Sequence, residues 1–264
     1  MFSYSGLILL SDTVVALAKN LDIVVIGNML AATQLGLYST ALYITDVTRL
    51  NLMSVLNRVM FTKYSTIQND KAFIAAYYVR SLQWNCLVIF PVMSALIIWG
   101  PALTSAFLGE AWTPMGPTLQ ILAFSVMINA AGGTTSTVYK AMGKPGQDLA
   151  LFLFTSVVIL IPALLIGVHY GGIEGAAVAI ALKKFIAVVI RQFFLNRLIG
   201  NVSIRVVKAL AIAIAAQIPL FLGSMLYELP FVPQDGIGAA MICGLLMGGY
   251  FAVLGLVFMR TGRK

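Results

Sequence analysis

Charged residues are scarce in this sequence. Lys, Arg, Asp and Glu make up 10% of its 264 residues, whereas apolar residues make up 60%. Soluble domains contain about 25% charged and about 45–50% apolar residues. The shortage of charge excludes an ordinary soluble domain, and several apolar windows of about 20 residues are long enough to cross a hydrocarbon core roughly 30 Å thick. We therefore predict an all-α, polytopic membrane protein.

Cysteine and histidine are scarce as well. Cys86 and Cys243 both lie in apolar runs, and the single histidine, His169, stands beside the turn sequence "YGGIEG". This pattern indicates no disulfide framework and no metal site, and it lacks the clustered acids and histidines of a membrane enzyme. The sequence also contains no nucleotide-binding loop. We predict a protein that is not an enzyme and has no cofactor.

Hydropathy and turn residues predict eight transmembrane segments. Each should be α-helical because backbone that is exposed to hydrocarbon must satisfy its own hydrogen bonds. The predicted spans are Gly6–Leu30, Leu37–Met60, Val79–Trp99, Met115–Val138, Leu149–Val168, Gly172–Phe194, Val206–Leu226 and Ile237–Met259. Residues 1–199 are predicted to form a six-helix transmembrane lobe. Residues 200–264 are predicted to add two transmembrane helices, whose near lack of charge indicates a peripheral position.

Most of the cations lie at every second connection between the predicted spans. These are Lys63, Lys71, Arg80, Lys140, Lys144, Arg191, Arg197, Arg205, Lys208, Arg260, Arg263 and Lys264. The alternate connections contain no Lys or Arg and hold Glu110, Glu174, Glu228 and Asp235. By the positive-inside rule the cation-bearing side is cytoplasmic, and so are both termini. The net charge of +8 is therefore interpreted as a topology signal and not as a nucleic-acid site.

The remaining cations lie within the predicted spans, together with three acids. They are Lys19, Arg49, Arg58, Lys183 and Lys184, with Asp12, Asp22 and Asp46. A Lys, Arg or Asp at a helix centre costs roughly 2.5–3.5 kcal/mol, so these side chains must face one another or water. Arg58 is close enough to the cytoplasmic end of its span to snorkel. In one alternative the other charged side chains form ion pairs, Lys19 with Asp22 or Asp12 and Arg49 with Asp46. Such ion pairs are compatible with a role in an ion pathway.

The segment "AIALKKFIAVVIRQ", Ala179 to Gln192, places two lysines near the middle of a span. The sixth span holds no acid near the depth of Lys183 and Lys184. One alternative is that both lysines snorkel toward the cytoplasm; the other is a water-filled cationic cavity for an anionic substrate such as a phosphate. Lys184 and Arg191 share a helix face, while Lys183 is turned by about 100°.

Three further stretches carry a family likeness. The segment "LDIVVIGNMLAATQLGLYSTALYI" has an acid, a hydrophobic pair with Ile-Gly and then Leu-Gly-Leu-Tyr. "FLGEAWTPMGPTLQILAF" places an acid and Trp before a Leu-Gln-Ile-Leu helix start, and "YGGIEGAAVAIAL" contains Gly-Ile-x-Gly-Ala-Ala. In this order and spacing they resemble the second half of the polysaccharide translocases, which are lipid-linked oligosaccharide flippases of the multidrug/oligosaccharidyl-lipid/polysaccharide exporter superfamily. One departure is "VMFTKYSTIQND", where the family usually has Pro near Thr62.

The resemblance implies a fold and a function. Family members have two six-helix lobes and two extra helices, and this chain resembles helices seven to fourteen, without the amino-terminal lobe. The implied function is translocation of undecaprenyl-pyrophosphate-linked oligosaccharide across the bacterial cytoplasmic membrane for surface polysaccharide such as lipopolysaccharide, O-antigen or exopolysaccharide. The implied partners are the lipid-linked oligosaccharide, membrane lipid and other polysaccharide-assembly membrane proteins.

The same resemblance implies that the intramembrane charges line half of a substrate cavity. The expected substrate-binding residues are Lys184, Lys183, Arg49, Lys19 and Arg191, and the candidate ion-coupling residues are Asp22, Asp46 and Asp12. Two alternatives stay open at this point. One is a drug/cation antiporter of the same superfamily, against which unpaired lysines argue, and the other is a membrane enzyme of polysaccharide assembly.

Overall fold

The computed structural model describes the backbone of residues 13, 15, 20–66, 70–227 and 236–261. Side chains are described in the same ranges except at 51, 53–66, 223–237, 239–240 and 255–261. The described residues form helices and connecting turns, with no strand among them. The predicted all-α class is therefore confirmed.

Ten α-helices follow one another along the described chain. They are α1 (Leu21–Met29), α2 (Ala32–Thr66), α3 (Lys71–Leu108), α4 (Gly116–Ala130), α5 (Thr135–Ala141), α6 (Pro145–Phe154), α7 (Ile161–Ile199), α8 (Ser203–Ala215), α9 (Ile218–Tyr227) and α10 (Gly236–Thr261). A 3-10 turn over Glu110–Met115 precedes α4, and a π-helical turn over Thr155–Leu160 joins α6 to α7.

Four helical stretches of the described chain are long and apolar enough to cross a membrane. They are Lys71–Leu108, Glu110–Ala141, Pro145–Ile199 and Ser203–Leu222, and Met241–Leu254 is a shorter apolar helix. The chain is thus a polytopic helical membrane protein, as predicted. The count of eight spans stays a prediction, and the amino-terminal part of the first predicted span lies outside the described residues.

The stretch Pro145–Ile199 is a helical hairpin. Its 55 residues would extend about 80 Å as one straight helix, more than twice the hydrocarbon thickness. The backbone breaks at Gly172, where φ is 53° and ψ is −133°. Gly167 and Gly175 lie backbone against backbone, so that a Cβ on either would overlap the carbonyl group of the other. The chain reverses direction at Gly172, which accounts for two of the predicted spans.

A second break separates α4 from α5. Residues 131–134 form a turn between the two helices, and the buried Asn85 of α3 donates a hydrogen bond of 3.1 Å from its Nδ2 atom to the carbonyl of Ala130. The Ala130 carbonyl also accepts a hydrogen bond of 3.2 Å from the Gly133 backbone N–H within the turn. Because hydrocarbon offers no hydrogen-bond partner, the Asn85 amide adds a second donor at this break. Asn85 therefore stabilises the broken form of this span.

The core has two main parts. Buried residues of α3 pack against α4, α5, the end of α7 and α8, while α1 and α2 pack against α4 and the hairpin. The described residues of α9 and α10 contact α3: Trp99 packs with Leu220, and the Tyr250 hydroxyl donates a hydrogen bond of 2.9 Å to the Leu87 carbonyl. The predicted division at residue 200 stays a prediction.

Candidate functional site

A polar cavity of about 340 Å³ lies between α1, α2, α4 and the two arms of the hairpin. Its polar lining residues are Asn20, Asp22, Asp46, Arg49, Asn129, Lys183 and Lys184. Arg49 stands at the centre of α2, and both lysines stand near the middle of the second hairpin arm. Charged side chains from separate helices thus converge at mid-depth of the bundle.

Each of the two lysines is held by a neighbouring helix. The Nζ atom of Lys184 donates a hydrogen bond of 2.9 Å to the hydroxyl of Ser125 on α4. The Nζ atom of Lys183 lies 5.0 Å from the ring centre of Phe152 on α6, within the range of a cation–π interaction. Within the described part of the chain neither lysine forms an ion pair. The choice between snorkelling lysines and a cationic cavity stays a prediction.

The two acids of the cavity, Asp22 and Asp46, both have partners on α2. Asp22 is 4% exposed, and one of its oxygens accepts a hydrogen bond of 2.7 Å from the Tyr38 hydroxyl. Asp46 lies one helical turn from Arg49, with 3.1 Å between its Oδ1 atom and the arginine Nε. The predicted pairing of Arg49 with Asp46 is therefore confirmed. The predicted pairing of Lys19 with Asp22 or Asp12 falls outside the described residues, because Lys19 and Asp12 lie there.

The environment of Lys183 and Lys184 corrects one sequence-based expectation. The sixth span itself holds no acid near the depth of these lysines, but Asp22 and Asp46 reach the same cavity from α1 and α2. The cavity therefore contains three cationic side chains and two acidic ones. Its charge is mixed, with one cation in excess when all five groups are ionised.

Arg191 lies apart from this cavity, although the sequence placed it on the same face as Lys184. Its Nη2 atom is 3.3 Å from Oδ1 of Asp148 on α6, and Asp148 also accepts a hydrogen bond from Ser136 on α5. Arg191 is absent from the cavity lining, and its expected role in substrate binding stays a prediction. Its ion-pair partner Asp148 lies in the first turn of α6 and was not among the residues singled out from the sequence.

Three partner residues were missed from the sequence. Ser125, Tyr38 and Phe152 hold the lysines and Asp22, and each is a common residue within an apolar helix. Tyr38 alone carried a signal, since it belongs to the "LGLYST" stretch on which the family resemblance rests. Ser125 and Phe152 come close to the lysines through helix packing, and no local sequence pattern marks them.

A bundle of apolar helices that encloses charged side chains at mid-depth defines a polytopic membrane protein with a built polar site. Comparison with known proteins narrows this class. Residues 1–117 match the family model described as "Polysaccharide biosynthesis protein". That region contains Asp22, Asp46 and Arg49, while both lysines lie beyond it.

Curated proteins with similar sequences agree with the family match. The chain is 27% identical to the teichuronic acid biosynthesis protein TuaB of Bacillus subtilis over 60% of this chain and 32% of that protein. It is 23% identical to the lipopolysaccharide biosynthesis protein WzxC of Escherichia coli over 76% and 41% of the two chains. The probable low-salt glycan biosynthesis flippase Agl15 of Haloferax volcanii is 22% identical over 76% and 42%.

The chain spans about a third to a half of the length of the curated relatives that it matches. The predicted resemblance to polysaccharide translocases is confirmed over the part of the chain that these matches cover.

Proposed function

We propose that the protein takes part in moving a lipid-linked oligosaccharide across the cytoplasmic membrane for the synthesis of cell-surface polysaccharide. The observation that carries this proposal is the convergence of Arg49, Lys183 and Lys184 on one cavity at mid-depth. Each of these cations is expensive within a bilayer, and such residues mark substrate and ion pathways. The names of TuaB, WzxC and Agl15 support the assignment to polysaccharide synthesis.

The cavity chemistry suits a pyrophosphate that carries a sugar chain. Lysine and arginine offset phosphate charge, and the side chains of Asn20 and Asn129 can exchange hydrogen bonds with sugar hydroxyls. Lys184 is positioned in advance by Ser125, and Lys183 by the ring of Phe152. The prenyl chain of the substrate would remain in the bilayer, where it needs no polar partner.

The two acids of the cavity, Asp22 and Asp46, can couple transport to the binding of an ion. A proton or metal cation bound by Asp46 would release Arg49 to the substrate, and one bound by Asp22 would remove a negative charge that repels the substrate phosphate. Asp22 and Asp46 are therefore our candidates for ion coupling, and rocking of helical units about the cavity would alternate its access. The proposed location is a bacterial cytoplasmic membrane with the cation-bearing connections and both termini in the cytoplasm.

The experiment that tests this function is the substitution Lys184→Ala in a cell that depends on this protein for its surface polysaccharide. A charge-assisted hydrogen bond to phosphate contributes about 1.5–3 kcal/mol, so we expect roughly a tenfold or larger loss of surface polysaccharide at an unchanged protein level. Lys208→Ala is the matched control, because Lys208 is exposed in the first turns of α8 and does not line the cavity. Wild-type polysaccharide in the Lys184→Ala cells would contradict the phosphate role.

A second candidate function is export of a cationic compound in exchange for an ion. The observation that favours it is the presence of Asp22 and Asp46 in the cavity, which weakens the argument that the lysines alone would repel a cation. Efflux of a cationic dye from cells that express the protein separates the two candidates. We expect no dye efflux above that of cells carrying an empty vector.

A further inference from the structure

A second and larger cavity lies on the other side of α4 and α7. It is an apolar groove of about 810 Å³ between α4, α7 and α8, and we call it the lateral groove. Its walls include Phe124, Phe185, Val189, Val207 and Ile214, each more than half exposed. Val189 follows Lys184 by five residues, a rotation of about 140° around the helix. The lateral groove and the polar cavity therefore use different faces of the same helices.

One end of the lateral groove is polar. Gln192, Asn196 and Ser203 line this end and are joined by hydrogen bonds of 3.0 Å between Gln192 and Asn196 and of 2.7 Å between Asn196 and Ser203. The guanidinium carbon of Arg197 lies 4.6 Å from the ring centre of Phe193, which is itself a lining residue. An exposed cation thus stands beside the polar end, held there by an aromatic wall residue.

The length of the lateral groove matches one leaflet of a bilayer. On α7 the lining residues run from Phe185 to Asn196, a distance of about 17 Å at 1.5 Å per residue. This is about half of a hydrocarbon core roughly 30 Å thick. A fatty acyl chain with its head group beside Arg197 would lie along the groove and end near mid-membrane.

We propose that the lateral groove binds one acyl chain of an anionic phospholipid, whose phosphate pairs with Arg197. The apolar walls exclude a polar occupant, and Arg197 complements a negatively charged head group. The phospholipid comes from the leaflet on the side of the connection that carries Arg197 and Arg205. Because the polar cavity lies across α4 and α7, this lipid site is separate from the proposed substrate path and does not depend on the proposed function.

Native mass spectrometry of the purified full chain tests the occupant of the groove. The probe is phosphatidylglycerol, added in competition with phosphatidylcholine that has the same acyl chains. We expect Val189→Trp, which fills the groove, to lose one bound phosphatidylglycerol. Val178→Trp is the matched control, because Val178 is 53% exposed like Val189 and does not line the groove. If Val189→Trp fails to fold, Val207→Trp fills the groove from the opposite wall.

The same measurement tests the charge contact. Arg197→Gln should lower the preference for phosphatidylglycerol over phosphatidylcholine about fivefold, the effect expected for one cation at a membrane surface. Arg205→Gln should leave the preference unchanged, because around α8 Arg205 is turned about 160° away from the lining residue Val207 and about 140° away from the lining residue Leu210. Equal loss in both arginine variants, or retention of the lipid in the groove-filling variants, would overturn the proposal. Displacement of phosphatidylglycerol by a polyprenyl phosphate at lower concentration would also overturn the phospholipid assignment.

Discussion

Two cations on one face of α7 have opposite surroundings. Lys184 and Arg191 are seven residues apart, yet Lys184 faces the polar cavity and donates its hydrogen bond to a serine hydroxyl, whereas Arg191 is neutralised by Asp148. The difference comes from the neighbouring helices. At the level of Lys184 the hydrogen-bond partner is the Ser125 hydroxyl of α4, while at the level of Arg191 the antiparallel first arm of the hairpin presents Asp148. The first arrangement leaves a charge available to a ligand, and the second uses the charge to hold helices together.

The largest effect should come from breaking the Asp148–Arg191 pair. Asp148→Ala would leave Arg191 uncompensated in a half-buried position, and removal of one partner of a buried pair costs about 3–5 kcal/mol. We expect a strong fall in the thermal unfolding temperature of the detergent-solubilised protein. The double variant Asp148→Ala with Arg191→Leu should recover much of the loss. Lys184→Ala is the contrasting control and should change the unfolding temperature little, so an equal fall there would contradict the comparison.

A smaller loss of stability should follow from adding a side-chain atom where the two hairpin arms cross at Gly167 and Gly175. This crossing determines how deep in the bundle Lys184 lies. Gly175→Ala places a methyl group against the Gly167 carbonyl, and overpacking costs about 1–3 kcal/mol. Gly171→Ala is the matched control, because a Cβ at Gly171 meets nothing within 4 Å. Thermal unfolding of the two variants in the same detergent measures the difference. Similar unfolding temperatures would show that the arms separate at little cost.

The smallest effect should come from the hydroxyl that holds Lys184. Ser125→Ala removes one hydrogen bond, which contributes about 0.5–1.5 kcal/mol, and leaves the lysine charge in the cavity. We expect surface polysaccharide to fall only a few-fold, well short of the Lys184→Ala effect. A loss as large as that of Lys184→Ala would mean that the position of the lysine matters as much as its charge.

The sequence was sufficient for the helical class, the family resemblance and the pairing within one helix of Asp46 with Arg49. Each of these follows from composition or from spacing along one helix, which needs no knowledge of neighbours. The free-energy cost of a charge within the membrane also predicted that charged side chains of separate spans would face one another. One cavity is indeed lined by Asp22, Asp46, Arg49, Lys183 and Lys184.

What the sequence could not provide is the choice of partner across helices. The hydrogen bond from Lys184 to Ser125 and the ion pair of Arg191 with Asp148 depend on how each helix is rotated and where it breaks. The antiparallel pairing of the hairpin arms brings Asp148 of the first arm to Arg191 of the second, and a hydropathy profile does not give the register of that pairing. Helix rotation is decided by packing over many residues, so these contacts needed a three-dimensional structure.

The π-helical turn over Thr155–Leu160 decides which side chains of this arm meet the charges. In an uninterrupted α-helix, Phe152 and Leu160 would point about 80° apart around the axis. A π turn accommodates about one extra residue, which reduces the angle to roughly 20° and lets both side chains line the polar cavity. Removing one residue from this turn would rotate the side chains of α6 about the helix axis relative to those of α7. The Phe152 ring would then move away from Lys183. The cation–π contact between Lys183 and Phe152 therefore depends on the one extra residue that the π-helical turn accommodates.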